Sequence, residues 1–166
     1  MTFADLPRGE SVFVDANTWV YHFTAHPVFG AASKDLLQRI ETGELVGRSS
    51  VHVVAESTHC LMTIEATARF RWTQGKVAKR LRQHPDAVKQ LGVFSAAYAR
   101  LHNSPLQILA VTTGILDAAI NISQQAGLLT DDALVVAVMQ AHGLTNLASN
   151  DTDFDRVPGI HRYSPV

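Results

Sequence analysis

Four acidic residues, Asp15, Glu56, Asp132 and Asp151, fall where a fold can gather ligands. Asp15 closes the short apolar run SVFVD, and Asp151 follows a second such run, NLAS, by two residues. In open α/β sheets, ligands bind just beyond the carboxyl ends of strands. Asp132 opens a strongly apolar helical segment, where the positive end of a helix dipole favours negative charge. Glu56 stands among Val53, Val54 and Ala55, and an ionised group in apolar company is costly unless it is paired or metal-bound. Converging carboxylates repel one another and some retain protons. A divalent cation relieves that repulsion, and ligation by oxygen alone suits Mg²⁺ or Mn²⁺. The chemistry expected of such a centre is phosphodiester hydrolysis, with the metal acidifying a water and clamping phosphate oxygens. Taken singly, each residue has a plainer role: Asp15 as a helix cap, Asp132 as a helix-start residue, Glu56 on an amphipathic surface, and Asp151 with Asp153 in a polar turn.

The elements that must hold these groups alternate along the chain. Residues 11–15, 44–48, 106–111, 146–149 and 160–163 read as short strands, most of them apolar. Helical spacing covers 31–40, and a helix is expected to begin around 19–23 before His26, Pro27 and Gly30 interrupt it. Ser49 and Ser50 are good N-caps for a long helix over 51–70, which contains neither Gly nor Pro. Further helices are expected at about 86–101, from Thr112 or Thr113 to Gly127, and from an N-cap at Thr130 to Gly143. Short apolar strands alternating with helices predict an α/β domain with a central parallel sheet of four to five strands covered by helices on both faces.

Composition removes several classes. With 46% apolar and 17% charged residues, the chain is neither low-complexity, collagenous nor a coiled coil. Its longest apolar run, 133–139, is far short of the roughly 20 residues a membrane helix needs. The start, MTFADLPRGE, has neither the basic nor the apolar region of a secretory signal. The single cysteine, Cys60, forms no intrachain disulfide and fits a reducing cytoplasm. Walker, dinucleotide-binding and nucleophile-elbow motifs are missing, and the eight histidines have no zinc-protease spacing. The Asp15-Ala16-Asn17 order disfavours a haloacid-dehalogenase-type phosphatase, which would have a second Asp there. A receiver domain would need paired acids near the first strand and a late lysine, and no lysine follows Lys89.

The segments FVDANTWVY, SSVHVVAE, LLTDDALVVAVM and LASNDTDFDRVPGI resemble the acidic motifs of PIN-domain ribonucleases, most closely the VapC toxins of toxin–antitoxin pairs. The last segment is the most specific, and the likeness extends over about 11–163. It implies that 1–166 is one PIN domain with a Mg²⁺- or Mn²⁺-dependent ribonuclease site. Asp15, Glu56, Asp132 and Asp151 would be its metal carboxylates, with Asp132 preferred over Asp131, and Asp153 would be a fifth acid acting through water or from behind the ligands. Asn17 and Asn150 match polar residues lining such sites, though both also suit turns. The resemblance further implies products with 5′-phosphate and 3′-hydroxyl ends, a homodimer, and a small VapB-type antitoxin. An antitoxin Arg or Lys would complement the clustered carboxylates. Val20, Phe23 and Val28 are candidates for the dimer surface.

The gap of 76 positions from Glu56 to Asp132 exceeds what a minimal member would need. It includes an extended basic helical region at about 69–104. Six of the chain's 14 basic residues, Arg69, Arg71, Lys76, Lys79, Arg80 and Arg82, lie in 69–82 without one acid, although the net charge is −1. Such cations bind phosphates, and Phe70 and Trp72 could stack on unpaired bases. A solvated helix face with a buried aromatic is the plainer reading of this stretch. The sequence thus predicts a cytoplasmic metal-dependent ribonuclease toxin. Its rivals are a non-catalytic PIN-like module that binds RNA or protein, and a housekeeping RNA-maturation nuclease.

Overall fold

The computed structural model describes residues 1–73 and 75–166. Five strands form one sheet: β1 (Ser11–Val14), β2 (Val46–Ser50), β3 (Gln107–Leu109), β4 (Asn146–Ala148) and β5 (His161–Tyr163). All neighbours are parallel, in the order β3-β2-β1-β4-β5. Successive side chains in a strand point to opposite faces. Val12, Phe13 and Val14 are each fully buried, so both faces of β1 are covered, as expected for a parallel sheet.

The helices are α1 (Ala16–Phe23), α2 (Gly30–Glu41), α3 (Val51–Phe70), α4 (Val77–Gln83), α5 (Pro85–Val88), α6 (Val93–His102), α7 (Thr113–Ala126) and α8 (Thr130–Ala141). Helix α8 is buried from Ala133 to Met139, which explains its nearly unbroken apolar sequence. Gly47 lets α2 lie close on β2, because a Cβ there would stand 2.5 Å from Cγ2 of Ile40.

The third and fourth strands are shorter than expected, and three further boundaries shift for a local reason. Strand β2 begins two residues later than the apolar pattern indicated. Ser49 is a strand residue whose hydroxyl donates to the Val14 carbonyl at 3.0 Å, and only Ser50 caps α3, accepting from Val53 N. Helix α1 starts at Ala16 because Asp15 caps it. The cap of α8 is Leu129, so Thr130 is the first helical residue.

Two apolar clusters hold the molecule. The larger unites the sheet with α1, α2, α8 and the start of α3. The smaller consists of Ala66, Val77, Leu81, Ala87 and Leu91, with Met62, Phe70 and Trp72 packed against it. The basic stretch is therefore amphipathic: Val77 and Leu81 turn inward while Lys76, Lys79 and Arg82 stay exposed. No helix among the described residues is long and apolar enough to cross a membrane.

Candidate active site

Strand order reverses at β1, which passes the chain to β2 on one side and lies against β4 on the other. The carboxyl ends of β1 and β4 therefore meet at the topological switch point, where α/β sheets leave a crevice. Asp15 N donates to the Ala148 carbonyl at 3.1 Å, extending the pairing of Val14 with Ala148 by one residue.

Asp15 is almost wholly buried, at 7% exposure. One carboxylate oxygen accepts from Ala16 N at 2.7 Å, which caps α1. The other accepts from Asn17 Nδ2 and from the Ser149 hydroxyl, each at 2.7 Å. Ser149 also accepts from Asn17 Nδ2 at 2.9 Å and from Asp151 N at 3.0 Å. Asn17 closes the ring by accepting from Asn150 N at 3.2 Å. The turn after β4 is thus fastened to the turn after β1. Asp151 in turn caps the short 3₁₀ helix Thr152–Arg156 by accepting from Asp153 N at 2.9 Å.

Electrostatics tie the remaining acids to this ring. Burial pushes the Asp15 carboxyl up to about 6; the charges of Glu56 and Asp151 push the same way, while the Ser149 and Ala16 hydrogen bonds oppose them. Asp132, in the first turn of α8, is also pushed up to about 6, by burial and by Asp151, Asp15, Asp153 and Asp131. Glu56, in the second turn of α3, is exposed and not enclosed by its apolar neighbours; partial burial of its carboxyl, with Asp131 and Asp132, still raises it, while His52 opposes. Well-separated stretches of sequence therefore place acids within one another's fields. A site that makes two carboxylates retain protons close to neutrality is one that a cation would relieve.

The donors fit a hard divalent cation by type and charge. As they stand, no three Asp, Glu, His or Cys side chains among the described residues are grouped to hold one ion. The hydrogen bonds explain part of this: Asp15 spends both oxygens on protein donors, and Asp153 is turned aside into an ion pair with Arg156, which also donates to the Gly127 carbonyl.

The basic residues lie elsewhere. Arg69 is thirteen residues past Glu56 on one continuous helix, which places it about 20 Å away along the axis. Arg71 ends α3 in the left-handed region, with φ 53°. The Arg80 guanidinium lies over the Trp72 ring at 5.7 Å, and Phe70 and Trp72 pack on each other with centroids 5.0 Å apart. These half-buried rings belong to the small cluster and are not free platforms for bases. Of the apolar residues singled out near the start of the chain, Val28 is exposed, while Phe23 packs against the larger core.

Ser149 escaped sequence reasoning. Serine at the end of a buried strand and directly before Asn150-Asp151 is the signal that could have revealed it. Asp131, set second to Asp132 in the sequence, is exposed where Asp132 is half-buried, and the charges of both raise Glu56.

A family model describing the PIN domain matches residues 12–160. The chain belongs to the PIN-domain family. Solved structures with the same PIN fold include VapC20 of Mycobacterium tuberculosis, a sarcin–ricin-loop-cleaving toxin, at TM-score 0.60 and 20% identity, covering 87% of this chain and 92% of that one. VapBC2 of Rickettsia felis, bound to a DNA fragment from its promoter, aligns at TM-score 0.59 and 16% identity over 93% of this chain and 98% of that one. A toxin–antitoxin complex from Klebsiella pneumoniae aligns at TM-score 0.56 and 18% identity, again over 93% and 98%. No curated protein matches the chain.

Proposed function

We propose that the chain acts as a single PIN domain that hydrolyses RNA phosphodiester bonds and serves as the cytoplasmic toxin of a type II toxin–antitoxin pair. The observation that carries this reading is a PIN fold whose switch point joins Asp15 to the Asp151 turn through Ser149, with Asp132 and Glu56 close enough for their charges to bear on Asp15. These four carboxylates would hold Mg²⁺ or Mn²⁺, with Asp153 assisting. When bound, the cation supplies charge neutralisation at the phosphodiester and acidifies a water.

The chain's own residues prepare that chemistry. Ser149, Asn17 and Ala16 N fix the Asp15 carboxylate, so its orientation is set before substrate arrives. The N-terminal turn of α8 offsets part of the negative charge of Asp132. Asp151 holds the 3₁₀ turn that carries Asp153. The neighbours from R. felis and K. pneumoniae are toxin–antitoxin complexes, which supports a protein antitoxin as partner here. An antitoxin guanidinium or ammonium among the carboxylates would relieve the same repulsion as the metal. A homodimer is proposed on the family resemblance.

Purified protein is expected to cleave RNA in Mn²⁺ and to stop in EDTA, and Asp15→Asn is expected to abolish turnover. Cleavage that survives both EDTA and the substitution would reject the metal mechanism. Lack of turnover by the wild-type chain in Mn²⁺ would replace the enzyme reading with a non-catalytic RNA- or protein-binding module.

A further inference from the structure

Helix α3 carries Glu56 near its start and forms one wall of an open groove near its end. The groove, of about 680 Å³, lies between α3 and α4 and is lined by Thr63, Ile64, Thr67, Lys76, Lys79 and Arg82 among others. At 3.6 residues per turn, Thr63 and Thr67 fall within about 20° of Glu56 around the helix axis, roughly 10 and 16 Å further along it. The groove therefore continues the helix face that Glu56 presents to the carboxylate cluster. Glu65 points the other way, where its carboxylate accepts from Gly92 N and Val93 N at 3.0 and 2.9 Å.

The charge in the groove is uncompensated. Lys76, Lys79 and Arg82 are exposed, and among the described residues none of them forms a salt bridge, nor does any acidic side chain line the groove. The other cations of the basic stretch are differently placed. Arg80 is over Trp72, and Arg69 lines a separate groove with Phe23 and Glu65. The threonines add chemical selectivity. Thr63 and Thr67 donate their hydroxyl protons to the Cys60 and Thr63 carbonyls, both at 2.8 Å, which leaves only acceptor lone pairs on the hydroxyl oxygens. Acceptors beside cations match a ligand that alternates anionic and donor groups. RNA does so, through phosphates and ribose 2′-hydroxyls. An acidic peptide side chain offers no such donor.

We propose that this groove is a second RNA-binding site, which holds a single strand by its phosphates and 2′-hydroxyls and feeds it along α3 to the carboxylates. The proposal rests on the ribonuclease reading for what happens at the far end, though binding at the groove is measurable without it. Only an RNA long enough to span about 16 Å of α3 engages both sites.

The test uses the full chain in EDTA, a labelled oligouridylate, and the deoxy oligonucleotide of matching sequence. The triple variant Lys76→Glu, Lys79→Glu, Arg82→Glu should lose roughly tenfold or more in RNA affinity. It should also lower the salt slope by about 2, at about 0.7 per single-strand phosphate. Lys34→Glu, an exposed site on α2, is the charge control and should change affinity little. Thr63→Val with Thr67→Val should erase any preference for RNA over DNA. If the glutamate variant unfolds, the glutamine triple variant serves, because Val77 and Leu81 carry the packing. Affinity unchanged within twofold would overturn the proposal, as would a triple variant that loses binding to polyglutamate, added as an acidic-peptide probe, while its RNA binding stays intact. Groove-dependent binding without Mn²⁺-dependent cleavage would sink the nuclease reading alone, and cleavage with groove-independent binding would sink the groove alone.

Discussion

The Ser149 hydroxyl donates to the Asp15 carboxylate at 2.7 Å, joining residues 134 positions apart. This bond fastens the end of β4 to the end of β1, and the same oxygen receives Asp151 N and Asn17 Nδ2. Ser149→Ala leaves Asp151 N without its partner and Asn17 Nδ2 with Asp15 alone, in a half-buried place, and should cost about 1–3 kcal/mol. Denaturant unfolding checks the stability. The loss of a donor to Asp15 should also move the acidic limb of Mn²⁺-dependent activity to higher pH, and an unmoved limb would deny Ser149 any part in setting the Asp15 charge.

Asp15 gives stability an unusual pH sign. Its folded-state value, about 6, exceeds the ordinary 3.8, so the native state binds the extra proton. That stabilisation is complete below about pH 4 and is lost as pH rises through 6, amounting to about 3 kcal/mol at 1.36 kcal/mol per unit. Asp132 and Glu56 add in the same direction. In EDTA, the melting temperature of Asp15→Asn relative to wild type should therefore rise between pH 4.5 and 7.5, since asparagine keeps an oxygen for Ala16 N but no charge. A difference that stays flat with pH would refute the burial of a charge at this position.

Divalent cations should show the complementary trend. Because protons and metal compete for the same oxygens, Mn²⁺ should raise the wild-type melting temperature more at pH 7.5 than at pH 5. Asp15→Asn and Asp132→Asn should each reduce that increment. Calorimetric scans with and without the ion measure it, and an equal increment in all three proteins would place the ion outside the cluster.

Arg71 sits at φ 53°, at the left-handed end of α3, where glycine is the preferred residue. Arg71→Gly should stabilise the chain by about 1 kcal/mol, because the Cβ strain of that conformation disappears. A lower melting temperature would mean that the arginine side chain contributes more than its backbone costs.

Trp72 should matter to the smaller apolar cluster and not to base recognition. Its ring packs on Phe70, lies under Arg80 and stands 6.0 Å from His84. Trp72→Ala should cost about 2 kcal/mol locally and speed amide exchange in α4, while RNA affinity per phosphate contact holds. Exchange that stays at the wild-type rate would contradict its packing role.

Much of the fold was legible in the residues. The apolar strands and the capping side chains located the sheet, and Asp15 stands at the strand end and Asp132 at the helix start where the sequence put them. Local boundaries were harder, because Ser49 reads as a cap by type yet spends its hydroxyl on the neighbouring strand. Ser149 was invisible for a related reason: a buried serine acquires its role from a partner 134 residues away. The basic stretch was read as one surface, but helical geometry divides it between packing, a side groove and the face shared with Glu56. A one-dimensional charge count carries no azimuth.

Helix α3 runs from the sheet to the smaller apolar cluster without a glycine or proline. Its first turn is seated in the larger apolar cluster and its last turns in the smaller one, so a single unbroken element spans both. The separation between the acidic crevice and the cationic groove is therefore fixed by the length of one helix and not by a loop.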